Sequence, residues 1–332
     1  EYEVTCRPGL IPVKFVDNKF MPDATRCNSK DLSDKSIYLA DPTIISADNK
    51  YIMYGTEKRP QGGFPVFVSE DMKIWETPSA APDGYALKKG GQVFGDVGFW
   101  APQIFRYKGK YCMAYTANEN IAIAYSETPY GPFRQNEVKP LKYGRQIDPF
   151  IFFDTDGKIY IYNVRLNKGN SHWGAERKEK LDEIKEETLK KCNVDDQQRE
   201  DTQKVQAPPI IEGPTVIKRN NTYKLFYSAN DFRSEDYAVG YATSSSPFGP
   251  WKKSANSPFI SRENIGKNGT GHGDLFQDKK GNWHYVFHTH NSETEVHNRR
   301  TAIVDIQFKP NKKTGIDDVV VSDKSFYFPT LK

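Results

Sequence analysis

The stretch from residue 40 to residue 57 reads ADPTIISADNKYIMYGTE, and the same organisation returns four more times along the chain. A polar residue and a proline come first, followed by a short apolar strand, a turn and a second apolar strand. The turn falls at Asp48-Asn49, a residue pair that favours tight hairpins. The stretch therefore predicts a β-hairpin whose first strand opens with a carboxylate, Asp41.

The four further copies begin at Trp100, Ile147, Ile211 and Gly271. They read WAPQIFRYKGKYCMAYTA, IDPFIFFDTDGKIYIYNV, IEGPTVIKRNNTYKLFYSA and GHGDLFQDKKGNWHYVFHTH. Most of these hairpins are followed by another strand and a turn, as in AIAYSETPYGPFRQ from Ala122. A unit of four short strands that repeats about every 45 to 65 residues is typical of a β-propeller.

The repeats predict an all-β fold, a five-bladed β-propeller with four-stranded antiparallel blades around a central channel. Residues 1–332 form one domain in this prediction, with blades that open near residues 41, 101, 148, 212 and 272. Residues 1–36 are expected to supply a closing strand or a cap, and the runs from Thr301 and Val319 to complete or close the ring. A β-sandwich is the alternative, but sandwiches do not restart each unit with the same polar-proline-apolar opening.

Composition narrows the classes of function. The chain has 47 lysine and arginine residues against 43 acidic residues, and both signs are interspersed. Nucleic-acid binding requires clustered basic residues, so the sequence predicts no nucleic-acid partner. No apolar run approaches the roughly 18 residues that a membrane-spanning helix needs. Residues 176–191 are the most charged stretch, where weak helical periodicity competes with a strand followed by an exposed loop.

Cysteine and histidine positions give two weaker signals. Cys6 and Cys27 flank one short segment and could form a disulfide in an oxidising compartment. Cys112 alternates with apolar neighbours, which predicts a buried thiol. The alternating residues His284, His288 and His290 have a zinc-like spacing, but a polar strand face near the channel is the favoured interpretation.

Three carboxylates are expected to meet at one end of the channel. The first strand of each propeller blade lies nearest the axis, so the residues that open those strands converge. Asp41, Asp148 and Glu212 open three of them. Carboxylates gathered a few Å apart raise the pKa of at least one member, which makes a proton donor. Inverting glycosidases use such a pair, one acid and one base, roughly 6.5 to 9.5 Å apart.

The ordered set of motifs resembles family 43 of the glycoside hydrolases. The resemblance runs from about Tyr38 to about Phe308 and rests on ADPTII, FWAPQI, GKYCMAYTA, QIDPFIF, IEGPTVIK, SPFGPW and GHGDLF. It implies that Asp41 is the general base and Glu212 the general acid. It also implies that Asp148 orients Glu212 and tunes its pKa.

The same resemblance implies further site residues. Trp100 is similar to the aromatic wall of the sugar pocket, and Arg299 to the arginine that binds the terminal sugar. Because this chain has Asn298-Arg299-Arg300 where Gly-Arg is commoner, Arg300 is the alternative to Arg299. His272 is similar to the axial histidine that lies over a calcium ion or a cluster of waters in the channel.

The expected function is that of an inverting, exo-acting glycosidase that removes a terminal α-L-arabinofuranose or β-D-xylose from plant cell-wall oligo- or polysaccharides. An endo-arabinanase, a β-galactosidase and a non-catalytic carbohydrate-binding propeller are the alternatives. We expect no organic cofactor, a possible structural calcium ion in the channel, and a monomer. A secreted or periplasmic location follows from the polymeric substrate. The start at Glu1 without a methionine predicts that a leader or a linker has been removed.

Overall fold

The computed structural model describes residues 13–16, 19–22, 34–141, 144–167, 170–178, 190–191 and 210–332. The chain divides into two compact units, Glu1–Ser36 and Ile37–Lys332. In the first unit, strands β1 (Val13–Val16) and β2 (Lys19–Pro22) pair antiparallel. The closing or capping role of residues 1–36 stays a prediction.

The described residues of the second unit form five antiparallel sheets. Sheet 1 is formed by β3 (Ala40–Ala47), β4 (Lys50–Thr56), β5 (Gly63–Ser69) and, after the short β6 (Ile74–Trp75), β7 (Tyr85–Lys88). Sheet 2 is formed by β8 (Trp100–Tyr107), β9 (Lys110–Ala117) and β10 (Asn120–Ser126). Sheet 3 is formed by β11 (Gln146–Phe153), β12 (Ile159–Asn167), β13 (Asn170–Lys178) and β14 (Lys190–Lys191).

Sheets 4 and 5 complete the set. Sheet 4 is formed by β15 (Ile211–Arg219), β16 (Thr222–Ala229), β17 (Ala238–Ser244) and β18 (Lys252–Lys253). After the short helix α1 (Arg262–Ile265), sheet 5 is formed by β19 (Gly271–Gln277), β20 (Trp283–Thr289), β21 (Arg300–Lys309) and β22 (Asp318–Tyr327). The last strand, β23 (Thr330–Leu331), pairs with β6. The runs from Thr301 and Val319 therefore belong to sheet 5.

The fold is an all-β propeller in which four of the described sheets have four strands. Sheet 2 has three, whereas four were predicted for every blade. Beyond β10 its pairing continues only as a single bridge between Tyr125 and Arg134. The chain turns away from β10 after this bridge. Gln135 Nε2 donates to the carbonyl of Lys139 at 2.8 Å within a loop, and the N–H of Leu141, beyond this loop, donates to the carbonyl of Ile121 in β10 at 2.7 Å.

Successive side chains of a strand point to opposite faces of its sheet, and the buried ones form the hydrophobic cores between neighbouring sheets. In β4, Ile52 and Tyr54 pack into a cluster shared with sheet 2, whereas Tyr51 and Met53 pack into a cluster shared with sheet 5. This two-residue period is what a strand buried on both faces requires. Five such clusters lie between neighbouring sheets, and one of them joins sheet 5 to sheet 1.

Two connections tie sheet 5 and the chain after it to sheet 1. Strand β23 runs parallel to β6, with Thr330 opposite Ile74. The Thr301 hydroxyl donates to the carbonyl of Leu39 at 3.0 Å and accepts from the N–H of Leu39 at 3.2 Å. The ring is therefore closed by residues on both sides of the repeated units.

The remaining sequence predictions are tested only in part. Cys112 is a buried free thiol, as predicted, whereas Cys6 and Cys27 lie outside the described residues. Of the charged stretch 176–191, the ends belong to β13 and β14, and residues 179–189 lie outside the described residues. In the described part of the chain, no helix is long and apolar enough to cross a membrane.

Candidate active site

The first strand of every sheet begins with the same irregularity. Each has a register shift over its opening residues, so the strand bends where it meets the channel. At the bend, one residue has a positive φ angle. These residues are Asp41 (48°), Ala101 (47°), Asp148 (55°), Gly213 (61°) and His272 (40°). The repeated opening predicted from the sequence is therefore a repeated backbone conformation.

Glu212 does not occupy the position that the repeats predicted for it. The residue of β15 that is equivalent to Asp41 and Asp148 is Gly213, so Glu212 precedes the bend by one residue. The prolines reveal the correct alignment, because Pro42, Pro149 and Pro214 each follow the bend residue. The carboxylate of Glu212 thus enters the site from a different backbone position than the two aspartates.

Side chains of each sheet hold the bend residue of the next sheet. The hydroxyl of Thr56 in sheet 1 accepts the N–H of Ala101 in sheet 2 at 2.9 Å. Three further contacts repeat this geometry: Asp148 N–H to Thr116 Oγ1 (3.0 Å), His272 N–H to Ser228 Oγ (2.7 Å) and Asp41 N–H to His288 Nδ1 (3.2 Å). In each of the four contacts, the accepting residue is the cross-strand partner of the residue that precedes the bend in its own sheet. Thr56, for example, is paired with Ala40, which precedes Asp41.

Val164 breaks this pattern at one place. It occupies the equivalent register position in sheet 3, opposite Ile147, and it is fully buried. Valine has no acceptor, so the N–H of Gly213 in sheet 4 donates instead to Asp148 Oδ2 at 3.2 Å. Because Val164 offers no acceptor, the carboxylate of Asp148 is hydrogen-bonded to Gly213, the residue that follows Glu212.

The predicted site residues lie around one cavity of about 620 Å³ at the end of the channel. Its lining includes Asp41, Asp148, Glu212, Trp100, Arg299 and His272. Arg300, the alternative to Arg299, instead lies 3.9 Å over the ring of Phe328. The structure therefore places all six predicted residues around one cavity, with Arg299 rather than Arg300 in its lining.

Asp41 is surrounded by hydrogen-bond donors. Thr56 donates its hydroxyl to Asp41 Oδ2 at 2.7 Å. Arg299 donates from its guanidinium to Asp41 Oδ1 at 3.4 Å, and His272 Nδ1 lies 3.4 Å from the same oxygen. The side chain of Asp41 is 8% exposed. These contacts hold a buried carboxylate in one orientation and place positive charge beside it.

Arg299 is itself held by two rings. Its guanidinium lies 4.6 Å from the ring centroid of Phe232 and 3.2 Å from Nε2 of His288. Burial lowers the pKa of His288 well below its usual value, and the charge of Arg299 lowers it further. His288 is therefore a neutral imidazole with a single acceptor nitrogen, which accepts either the N–H of Asp41 at Nδ1 or an N–H of Arg299 at Nε2.

Glu212 has the surroundings of a proton donor. Burial raises the pKa of Glu212 to about 7, and the negative charge of Asp148 adds to the increase. The hydroxyl of Tyr237 donates to Glu212 Oε1 at 2.6 Å and opposes part of this shift. Tyr237 fits because Gly271 leaves room: a Cβ at Gly271 would lie 2.1 Å from the tyrosine ring.

His272 lies between two carboxylates: its Nδ1 is 3.4 Å from Asp41 Oδ1 and 4.0 Å from Asp148 Oδ2. Burial raises the pKa of Asp148 to about 6, although the nearby His272 opposes the shift. Burial lowers the pKa of His272, but the charges of Asp41 and Asp148 outweigh burial, and the net shift is upward. His272 therefore places positive charge between carboxylates that would otherwise repel one another.

Replacement of Tyr237 by phenylalanine is expected to raise the pKa of Glu212. The hydrogen bond favours the charged carboxylate, and such a bond contributes about 1.5 kcal/mol, which corresponds to about one pH unit. A more basic Glu212 stays protonated to higher pH, so the alkaline limb of the pH profile of kcat/KM should move upward by about one unit.

Tyr115→Phe is the matched control, because Tyr115 is also buried but donates to the carbonyl of Phe94, away from the cavity. Its alkaline limb should coincide with that of the unmodified protein. An alkaline limb of Tyr237→Phe that stays in place or moves to lower pH would contradict the assignment.

A narrow channel continues below the cavity. The carboxyl of Asp274 accepts hydrogen bonds there from the hydroxyls of Thr43 (2.8 Å) and Thr215 (3.2 Å). Burial raises the pKa of Asp274 to about 6. No sequence signal singled out Asp274 or Tyr237, because both act through neighbours that are distant in the chain.

The described residues do not form a ligand set for a metal ion. No group of three or more His, Cys, Asp or Glu side chains among them could hold one. His284 instead pairs with Asp305 at 2.9 Å, and Nε2 of His290 lies 2.9 Å from the carbonyl of Phe232. The calcium ion near His272 stays a prediction.

Comparisons with known proteins give a consistent family. The model of glycosyl hydrolases family 43 matches residues 36–313. A crystal structure described as an endo-1,4-β-xylanase from Bacteroides thetaiotaomicron is 35% identical, with a TM-score of 0.78, and the match covers 90% of this chain and 99% of that one. A structure described as a thermostable family-43 glycoside hydrolase is 30% identical, with a TM-score of 0.75, over 87% of this chain and 95% of that one.

A curated relative is larger than the chain. A protein of Butyrivibrio fibrisolvens named xylosidase/arabinosidase is 26% identical over a match of 259 residues, and the match covers 75% of this chain and 48% of the relative. The chain therefore spans about half the length of this relative.

Proposed function

The chain belongs to glycosyl hydrolases family 43, and from this premise we propose that it is an inverting, exo-acting glycosidase that removes a terminal α-L-arabinofuranose or β-D-xylose from plant cell-wall oligo- or polysaccharides. One observation carries the proposal: Asp41, Asp148 and Glu212, from three sheets, line one cavity in three different electrostatic surroundings. Pairs of carboxyl groups with separate environments are how acid and base roles are divided.

In the proposed mechanism, Asp41 accepts a proton from the water that attacks the anomeric carbon. Its orientation comes from Thr56 and Arg299. Glu212 donates its proton to the departing glycosidic oxygen, which its raised pKa permits near neutral pH. Asp148 acts through Glu212, because its negative charge raises the pKa of that acid and its Oδ2 holds the adjacent backbone.

Two further residues bind the sugar in this proposal. Trp100 lies at the cavity wall, where its indole can pack on a sugar ring. Arg299 reaches the cavity beside Asp41 and offers its remaining N–H groups to hydroxyls of the terminal sugar. The hydrolysis needs only water, so we propose no organic cofactor.

The wider architecture and setting are part of the same proposal. We count three-stranded sheet 2 as a blade, which gives five blades, because a hydrophobic cluster joins it to each neighbour. A cell-wall substrate lies outside the cell and supports a secreted or periplasmic protein. We propose that the protein is a monomer.

The test is release of nitrophenol from aryl glycosides of arabinofuranose, xylopyranose and galactopyranose. We expect turnover of one pentoside, with the anomeric configuration of the first-formed product inverted in NMR spectra. Turnover with retained configuration would overturn the inverting mechanism, and turnover of the galactoside alone would overturn the pentose specificity.

Internal cleavage is the second candidate. The likeness to a Bacteroides chain described as an endo-1,4-β-xylanase, over nearly the whole of both chains, favours it. A protein that is silent on aryl glycosides but shortens xylan or arabinan to oligosaccharides would be endo-acting. Silence on both the aryl glycosides and the polymers would point to a non-catalytic binding propeller.

A further inference from the structure

The loop of residues 57–63 is fixed at its base by Glu57. This loop follows Thr56, the residue that donates to Asp41. Glu57 Oε1 accepts the N–H groups of Gly62 and Gly63, and Tyr85 donates its hydroxyl to Oε2 at 3.1 Å. The carboxylate of Glu57 is therefore occupied by contacts that close the loop.

Gln61 fixes the far side of the loop to sheet 2. Its Nε2 donates to the carbonyl of Phe99 at 3.0 Å, and its Oε1 accepts the N–H of Phe99 at 3.1 Å. Phe99 directly precedes Trp100, so the loop spans the cavity rim between Asp41 and the aromatic wall. A loop with two such anchors presents its central residues at a defined place.

The central residues of the loop are two cations without an ion-pair partner in the described part of the chain. Lys58 and Arg59 line the cavity and are exposed, and neither makes an ion pair with any described residue. The other two cations of the lining are occupied: Arg299 contacts Asp41, and Arg233 contacts Asp231 at 2.6 Å. Two exposed positive charges that no described residue neutralises thus lie at the rim, away from the buried floor.

The floor of the same cavity carries the opposite charge. Asp41 and Asp148 are buried there, and they would repel an anionic group on the sugar that is cleaved. The rim contacts the sugars that follow the cleaved one, because a terminal sugar must reach the floor to meet the reacting groups. An anionic group is therefore accommodated only at the rim.

We propose that loop 57–63 binds the carboxylate of a uronic acid residue in the substrate, outside the sugar that is removed. Lys58 and Arg59 supply the charge, and the guanidinium of Arg59 can contact both carboxylate oxygens. The inference rests on the proposed function and names its substrate class: an acidic cell-wall oligosaccharide. The uronic acid can come from a glucuronic acid branch on a xylan or from a galacturonic acid backbone.

The test measures binding, so that it does not depend on turnover. With Glu212→Ala protein, calorimetry compares xylotetraose that carries a glucuronic acid branch with the same oligosaccharide after reduction of its carboxyl group. A second arm compares trigalacturonic acid with its methyl ester. An exposed ion pair changes a binding constant by up to about fivefold, so two cations should favour the acid form in one arm by about five- to tenfold.

Lys58→Gln/Arg59→Gln, added to Glu212→Ala, should bring the ratio of the two Kd values close to one. The matched control is Lys312→Gln/Lys313→Gln, which removes two adjacent exposed cations outside the cavity and should keep the ratio. Salt at about 1 M, where the Debye length is about 3 Å, should reduce the ratio as well.

The arm that shows the preference identifies the source of the uronic acid. Equal affinity for acid and neutral forms in both arms, absence of binding to either acid, or a preference that survives Lys58→Gln/Arg59→Gln would each overturn the proposal. Failure of the proposed function itself appears separately, as absence of turnover of aryl glycosides and polymers by the unmodified protein.

Discussion

Replacement of Asp41 by asparagine should lower kcat/KM by about 10²- to 10⁴-fold on every glycoside that the protein cleaves. Asparagine keeps the shape of the side chain and the hydrogen bond from Thr56 but cannot accept a proton from water. The loss should be independent of the leaving group, because the attacking water needs the base whichever alcohol or phenol departs. Initial rates on nitrophenyl and dinitrophenyl glycosides of the same sugar measure this directly.

Added azide separates the loss of a base from general damage to the site. Azide is an anionic nucleophile that needs no deprotonation, so it should restore part of the turnover of Asp41→Asn and form a glycosyl azide. Asp96→Asn, a change at an exposed aspartate, should leave all rates unaltered. If Asp41→Asn retained more than about a tenth of the activity, Asp41 would not be the base.

Replacement of Glu212 by glutamine should produce a loss that depends strongly on the leaving group. An ordinary sugar alcohol departs only when its oxygen is protonated, so its hydrolysis should fall by about 10²- to 10⁴-fold. Dinitrophenolate departs without a proton, so the dinitrophenyl glycoside should retain most of its turnover. The alkaline limb of the pH profile, which reports loss of the Glu212 proton, should also disappear.

Two variants give this experiment its controls. Glu263→Gln alters an exposed glutamate of helix α1 and should behave as the unmodified protein. Asp148→Asn removes the negative charge that raises the pKa of Glu212, so its alkaline limb should move to lower pH rather than disappear. Equal losses of Glu212→Gln on good and poor leaving groups would show that another residue is the acid.

The sequence predicted the openings of the sheets well. All five first strands begin within one residue of the copies recognised from the polar-proline-apolar pattern, as at Ala40, Trp100 and Gly271. This succeeded because the pattern is a physical requirement: a bend at the channel, then a strand buried on both faces. Asp41 and Asp148 could be placed in the site for the same reason.

Features that depend on side-chain partners in another sheet were not predictable. Glu212 lies one residue before the bend because the chain has one extra residue, Gly213, before Pro214. Val164 changes the hydrogen bonding of Gly213 only because the equivalent residues of the other sheets carry acceptors. Tyr237 reaches Glu212 from a neighbouring strand, 25 positions along the chain. The spacing of residues in a single sequence does not reveal such contacts between side chains of different strands.

The missing strand of sheet 2 has a different cause. The Gly-Pro-aromatic corner at Pro132 recurs at Pro250, where a fourth strand follows, so the local sequence does not distinguish the two sheets. In sheet 2 the chain leaves β10 after Arg134 and enters a loop that Gln135 closes. Periodicity describes side chains, whereas the ladder is made by the backbone.

In four of the five sheets, the bend residue is held by a side chain of the preceding sheet. The smallest segment that could be exchanged between related proteins is therefore the junction between two sheets and not a single sheet. A chimera that imported the strand carrying Asp148 alone would receive its carboxylate but not Thr116, which holds its backbone from the sheet before. Recombination between relatives should therefore cut through the outer strands. Each transferred piece would then contain the inner strand of one repeat together with the second strand of the repeat that precedes it.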